Sequence, residues 1–367
     1  LESYAACPFQ RFARFGLRLR LRREADLKAT DVGTVHHAIL EDYLNDCIAR
    51  DERFNDISDA DILPRLERCA EKVAGELQRL GETGSARDAY LLQRSAHDLN
   101  AVVQSQRRVA AGGHFVPRAA ERKYGFPNDP QSMAPLEIAT PRGRRVLVRG
   151  VIDRIDLAEV AGELIGVVVD YKRTRDKRLD LTWVYHGLSL QLLGYLLALA
   201  EQGESVAGRA IIPVGAFYVS LLRKYRAVDS PDDVAADAGP EEFTPRGIVD
   251  ASRLPLLERD LPASGWAKVF KVFLKQDGSL GHVDRTDAAT AGQFQALLRH
   301  TRRQLGALAD GVLDGDVAVS PYRLRDFSPC HWCDMRAVCR FEFGDPGMRH
   351  LEALKRGEVL DRVEGEG

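Results

Sequence analysis

The sequence predicts an α/β fold in which a mixed central sheet is flanked by helices. Three observations lead there. Residues 164–169 (LIGVVV) form an unbroken apolar run, the pattern of a strand covered on both faces. Residues 146–157 (VLVRGVIDRIDL), just upstream, are rich in β-branched side chains and partly alternate. Residues 186–202 are apolar on almost every side of a helix and lead into another strand-like stretch at 211–222. Strand, strand, buried helix, strand is the order of a sheet packed against helices.

The remaining elements follow in chain order. The chain begins at Leu1 rather than Met, which is expected of a fragment of a longer polypeptide or a processed chain. Residues 1–30 are a segment with one cysteine. They include Arg11, Arg14, Arg18, Arg20, Arg22 and Arg23 with no acid across 11–23, either a solvated charged stretch or a phosphate-contacting patch. A core of 31–222 follows. Its first helix is expected at 31–50, with Thr30 or Asp31 as N-cap and apolar positions at 36–40, 43–44 and 47–48. Residues 60–110 are a helical, amphipathic insertion, and strands begin near 119–126. Residues 223–321 are expected to be a surface excursion and helical region. The stretch 223–262 is rich in Asp, Glu, Pro and Gly, and a helix lies at 288–310. Residues 322–345 hold a cysteine cluster, and 346–367 are a charged tail whose last dozen residues should fray.

With 367 residues, 45% of them hydrophobic, the chain can bury a sizeable core. Its formal net charge of −2 does not by itself point to nucleic acid. There is no apolar run of membrane-spanning length, no secretory pattern and no internal repeat, so a cytoplasmic location without membrane contact is expected. The absence of a G-x-x-x-x-G-K-[ST] loop means this piece should not hydrolyse ATP on its own.

Six cysteines divide into two groups. Cys47 and Cys69 share helical stripes with Leu44 and Leu66 and read as core residues. Cys330, Cys333 and Cys339 form C-x2-C-x5-C, a spacing that lets thiolates converge on one centre. Disulfides are an unattractive alternative in a chain with no secretory signal. A fourth ligand is required, either the adjacent His331, giving zinc, or the distant Cys7. Spacing leaves zinc and iron–sulphur both open. Either would clip the two ends of the chain together.

The chemistry-bearing set sits on the two central strand runs. Asp153 ends one in Gly150-Val-Ile-Asp, and Asp170-Tyr171-Lys172 ends the next. An ionised aspartate at the end of a buried strand needs compensation, and Mg²⁺ or Mn²⁺ supplies it well. Lys172, two residues on, shares the face of Asp170. Two carboxylates and an ammonium make a phosphodiester-cleaving site; the bland alternative is an ion pair at a strand end. Gln191 and Tyr195, four apart, are polar interruptions in the apolar helix. His36 or His37 could add an imidazole ligand.

In this order the segments resemble the RecB-like branch of the PD-(D/E)XK nucleases, and within it the C-terminal nuclease domain of AddB subunits of bacterial helicase–nucleases. The resemblance rests on Leu1-Glu-Ser-Tyr-Ala-Ala-Cys7-Pro-Phe9, on Gly33, Thr34 and His37, and on Gly150 with Asp153. It continues through Asp170-Tyr171-Lys172, Gln191 with Tyr195, Phe243-Thr-Pro-Arg-Gly247, and Cys330, Cys333 and Cys339. It implies a restriction-endonuclease-like fold with an iron–sulphur-stapled terminus. It implies that His37, Asp153 and Asp170 bind Mg²⁺ or Mn²⁺, aided by the Tyr171 carbonyl. Lys172 would activate or position water, Gln191 align the site, and Tyr195 sit near the substrate backbone. It also implies a [4Fe–4S] cluster on Cys7, Cys330, Cys333 and Cys339, with zinc as the lesser alternative. The expected activity is metal-dependent exonucleolytic trimming of single strands at DNA ends in recombinational repair, with a helicase as partner. The competing expectation is a non-catalytic DNA-binding or scaffold subunit with the same fold and cluster.

Overall fold

The strand run at 164–169 lies at the centre of the molecule because both its faces have something to cover them. The computed structural model describes residues 1–20, 29–79, 86–223, 242–344 and 346–366. The chain opens with two short helices, α1 (Glu2–Ala6) and α2 (Pro8–Arg11). Three long ones follow: α3 (Ala29–Ala49), α4 (Asp59–Arg79) and α5 (Ala86–Gly112). Strands β1 (Val116–Tyr124), β2 (Leu136–Ala139), β3 (Arg145–Val148), β4 (Gly150–Val160) and β5 (Glu163–Lys172) come next. Helices α6 (Leu181–Tyr185), α7 (Gln191–Gln202) and α8 (Glu204–Ala207) lead to β6 (Ile212–Ser220) and β7 (Arg246–Asp250). Beyond these lie α9 (Leu254–Leu257), the short strands β8 (Gly265–Trp266), β9 (Phe273–Leu274), β10 (Leu280–Gly281) and β11 (Ala288–Ala289), and the long α10 (Ala291–Leu313). The chain closes with β12 (Tyr322–Leu324), α11 (Arg336–Cys339), β13 (Arg349–Leu351) and α12 (Arg356–Gly365).

The central sheet runs β1-β4-β5-β6-β7-β11. β5 pairs antiparallel with β4 and parallel with β6, so the sheet is mixed. One face carries Ile155 and Val168 and packs against α7, α10 and α12 through Leu192, Leu196, Phe294, Leu297, Val359 and Leu360. On the other face, Val169 and Tyr171 meet α3, α4 and α5 through Ile39, Tyr43, Leu66 and Leu99. This two-sided cover explains why β5 reads as a continuous apolar run. The arrangement is the mixed sheet flanked by helices that the strand order predicts, and it is consistent with the restriction-endonuclease-like fold that the resemblance implies. Among the described residues, no helix is long and apolar enough to cross a membrane.

Several expected elements differ. Helix α3 spans Ala29–Ala49 and includes Thr30 and Asp31, the positions expected to cap it. The run 146–157 splits at Arg149. β3 pairs with β2 in a separate ribbon, and only β4 joins the main sheet. The helix expected from 186 begins at Gln191, because Gly187 takes a left-handed φ of 75° that ends α6 first.

The expected surface excursion 223–262 contains a strand of the central sheet. Ile248 and Val249 of β7 are fully buried against β6, and the surrounding Pro, Gly and acidic residues concealed so short a strand. Gly247 in the Phe243–Gly247 motif is required here, since a Cβ would come within 1.9 Å of the Ala216 carbonyl oxygen. Residues 224–241 of that stretch, like Arg22 and Arg23, lie outside the described residues. The expected frayed tail is also corrected. In α12, Val359, Leu360 and Val363 are at most 1% exposed, and their 3.6-residue spacing buries one face of an otherwise charged helix.

Candidate active site

Three adjacent strands place three acids in one row. The β4–β5 register pairs Arg154 with Val169, so one step further Asp153 faces Asp170. The β1–β4 register pairs Ala120 with Arg154 and Arg122 with Ile152, so Glu121 between them faces Asp153. Like charges directly opposite across a sheet destabilise it. Here the cost is compounded by burial, with Asp153 7% and Asp170 0% exposed.

The carboxylates respond accordingly. Burial, and then the neighbouring Asp170, push Asp153 up to about 7, against a pull downward from His37. Burial likewise raises Asp170, with Lys172 opposing it. Asp153 Oδ2 accepts a hydrogen bond of 2.7 Å from the Tyr171 amide. Neither oxygen of Asp170 accepts one. Lys172 Nζ stands 2.7 Å from Asp170 Oδ2 as an ion pair, off the line a hydrogen bond requires.

Lys172 is half-buried and also donates to Gln191 Oε1 at 3.2 Å. Gln191, the exposed first residue of α7, donates through Nε2 to Tyr195 Oη at 2.6 Å. The four-residue spacing thus puts both on one face, as expected. Burial, then the Asp170 charge, raise the Tyr195 phenol far above its usual range, so it stays protonated.

His37, near the start of α3, closes the row from the other side. Its Nδ1 is 3.2 Å from Glu121 Oε1 and 3.5 Å from Asp153 Oδ2, and its Nε2 is 3.0 Å from the Tyr171 carbonyl oxygen. Burial pulls the imidazole down, but the Glu121 hydrogen bond and the surrounding carboxylates outweigh it and raise it overall. His36 is excluded from this group. It is 1% exposed, its two ring nitrogens have no partner, and burial lowers it to about 4.

Donor atoms of His37, Glu121 and Asp153 all lie within 4.8 Å of one another, the only such group among the described residues; Asp170, expected to share the metal with His37 and Asp153, is not part of it. Glu121 was not anticipated from the sequence. Its strand carries a bulge between Pro117 and Ala119, and Glu121 itself sits at φ 43°. Both break the alternation that would have assigned it a face. A non-glycine residue in the left-handed region is uncommon, and such strain is often kept at functional sites.

The four cysteines of the other group meet far from this row in sequence but around a single small cavity. Cys7, Cys330, Cys333 and Cys339 all line it, with Gln10, Val319 and Met335. None is in a disulfide. Burial raises the Cys330 thiol, with Cys7, Cys333 and Cys339 adding to it. The N-terminal segment is tied in by the Phe9 amide to the Ala318 carbonyl at 3.0 Å and by Arg349, which donates to the Ala5 and Ala6 carbonyls. His331 turns elsewhere, with Nδ1 3.1 Å from the Ser328 carbonyl and its ring stacked on Phe343. Of the basic segment, Arg14 pairs with Asp334 at 3.2 Å, while Arg18 and Arg20 are exposed. Cys47 and Cys69 are buried among α3, α4 and α5, as expected of core residues.

A family description, the PD-(D/E)XK nuclease superfamily, matches residues 1–340. The chain belongs to the PD-(D/E)XK nuclease superfamily. Among its relatives are proteins named as a subunit of an ATP-dependent helicase/deoxyribonuclease. That of Symbiobacterium thermophilum is 31% identical over 372 residues, covering 100% of this chain and 31% of the relative. That of Moorella thermoacetica is 32% identical over 355 residues, covering 95% and 30%. That of Bacillus pumilus is 28% identical over 380 residues, covering 100% and 31%. The chain therefore spans about a third of the length of the curated relatives it matches.

In this PD-(D/E)XK chain, the acidic row rests on a second layer. Arg154, between Asp153 and Ile155, points to the opposite face. There it forks onto Asp156 at 2.7 and 2.5 Å and donates to Tyr171 Oη at 2.8 Å. That pins the Tyr171 ring and holds the backbone whose amide meets Asp153 and whose carbonyl meets His37. Fully desolvated guanidinium–carboxylate forks hold geometry well.

Proposed function

We propose that this chain is a divalent-metal-dependent DNA nuclease that hydrolyses phosphodiesters at single-stranded DNA ends and works with a helicase. The observation that carries the reading is the row Glu121–Asp153–Asp170 with Lys172 at its end. Two buried carboxylates side by side, Asp153 and Asp170, with only the Lys172 ammonium against Asp170, carry more negative charge than the single lysine offsets, and a divalent cation would compensate the rest. Oxygen donors with one imidazole suit Mg²⁺ or Mn²⁺. His37, Asp153 and Asp170 would hold the ion, with Glu121 as a further donor and the Tyr171 carbonyl alongside. When bound, such an ion polarises the phosphate and makes water more acidic.

The chain's own groups do the rest. The Lys172 ammonium orients the attacking water or steadies charge growing on the phosphate. Gln191 holds that ammonium, and Tyr195 anchors Gln191. The shared name of the relatives couples helicase and deoxyribonuclease, and this chain matches about a third of each. That supports a nuclease portion whose motor lies in another part of the polypeptide or in a partner; its proposed setting is recombinational repair.

The cysteines would hold a [4Fe–4S] cluster. The turned-away His331 leaves Cys7 as the fourth ligand, and an all-thiolate set of this kind suits an iron–sulphur cluster.

Digestion of end-labelled single-stranded DNA tests the activity. Asp170→Ala and Lys172→Ala should each abolish it with the fold intact, and cleavage retained in both would refute the assignment. A brown anaerobic preparation with broad visible absorption is expected; a colourless one with stoichiometric zinc would overturn the cluster.

A further inference from the structure

We infer that Glu2 is a positioning residue of the nuclease site, a strut through which the cysteine clip sets the orientation of Gln191 and, through it, Lys172. The inference rests on the nuclease reading above and adds to it a residue outside the acidic row.

Helix α7 has no side-chain cap of its own at its N-terminus. Its exposed amides are taken instead by a residue almost two hundred positions away in sequence. Glu2 Oε1 accepts from the Leu190 amide at 2.5 Å and from the Gln191 amide at 2.8 Å. A carboxylate on helix N-terminal amides is favoured both as a hydrogen-bond acceptor and by the helix dipole. Gln191 is where this matters, because the residue whose backbone Glu2 fixes is also the one whose side chain receives Lys172 Nζ. The chain of contacts is unbroken: Glu2, the Gln191 backbone, the Gln191 amide oxygen, Lys172, Asp170.

Glu2 is held in turn by the clip. It opens α1, and Cys7 follows that helix directly. Along α1, Tyr4 Oη donates to Asp316 at 2.7 Å and packs so closely on α10 that a Cβ at Gly311 would lie 2.1 Å from it. Arg349 grips the Ala5 and Ala6 carbonyls. Thus one short helix has its far end at the cysteine cavity and its near end on the active-site helix. A shift of α1 moves Glu2, and a small displacement of a group that orients the reacting atoms is expensive in rate.

The test uses the intact polypeptide, purified without air, with Mg²⁺ and single-stranded DNA. Glu2→Ala is expected to lower kcat about tenfold with KM changed less than about twofold, the signature of lost positioning and not of lost substrate binding. Glu2→Gln, whose amide oxygen still accepts from both amides, should restore most of kcat. In a Gln191→Ala background, Glu2→Ala should add almost nothing. Hydrogen exchange should quicken in Glu2→Ala at residues 190 and 191 and remain slow in the central sheet, which checks that the variant is folded. Full kcat in Glu2→Ala, or full additivity with Gln191→Ala, overturns the inference while an inactive Lys172→Ala leaves the nuclease reading standing. An active Lys172→Ala instead removes the reading on which both depend. Should Glu2→Ala unfold as a whole, failure of Glu2→Gln to retain activity in a folded state would equally overturn it.

Discussion

The acidic row and the cysteine cavity both gather potential ligand atoms, and they are held by different means. The row lies on neighbouring strands of one sheet, so backbone register fixes it. Flanking Ile152, Ile155 and Val168 are wholly buried. The cysteine site draws on residues 7 and 330–339, carried by turns and short helices beside a smaller apolar cluster in which Ala5, Leu188, Tyr322 and Leu324 are buried and Trp183, Phe327 and Leu351 partly so. Around it, Trp332 is 70% and Val338 56% exposed. A sheet can hold carboxylates close together against their repulsion with no ion present. A set of turns cannot hold four thiols so firmly, and much of that region's order should come from whatever the sulphurs bind.

That contrast can be broken first at the row. Asp170→Asn should reduce DNA cleavage on the order of 10³-fold while leaving the melting temperature unchanged or higher, since relief of burial and of repulsion from Asp153 outweighs loss of the ion pair with the half-buried Lys172. A fall in melting temperature would mean that the row contributes to the fold after all. Cys7→Ser should do the reverse. Expected are loss of visible absorption, destabilisation of about 3 kcal/mol by analogy with other long-loop cross-links, and early proteolysis near both chain ends. The central sheet should stay protected.

Two smaller effects sharpen the comparison. Mg²⁺ or Mn²⁺ at a hundredfold excess over Kd should stabilise the protein by about 2.7 kcal/mol, seen as a higher melting temperature. That gain should vanish when Asp153 and Asp170 are both changed to Asn. Finally, Ile155→Ala in the shell of the row should cost about 3 kcal/mol in denaturant unfolding, and Val338→Ala beside the cysteines within about 0.5 kcal/mol. Similar costs at the two positions would erase the distinction.

The sequence made the row partly legible. Asp170 and Lys172 end a strand whose apolar run is unmistakable, and period-two geometry alone puts Lys172 beside Asp170; Asp153, expected to end its strand as well, is instead the fourth residue of β4, which runs on to Val160. Gln191 and Tyr195 were visible as polar interruptions of a buried helix. Glu121 was not, because a bulge and a left-handed φ remove the alternation that reports a strand's face. Glu2 was hidden for another reason: it caps a helix through space, and no local pattern links residue 2 to residue 190. Choosing His37 over His36 and pairing Cys7 with the distant triplet needed the family resemblance, since local spacing left both open. β7 and α12 were lost to composition, one a brief apolar strand among turn formers, the other a charged helix with a single greasy face.

The closing helix carries a practical warning for anyone shortening this polypeptide. The family description ends at residue 340, which makes that position a tempting boundary. Cutting there would delete β13, whose parallel ladder steadies β12, and strip Val359, Leu360 and Val363 from α10. The trimmed product would bare a sticky furrow on the long helix and should accumulate as insoluble material despite keeping every residue of the acidic row.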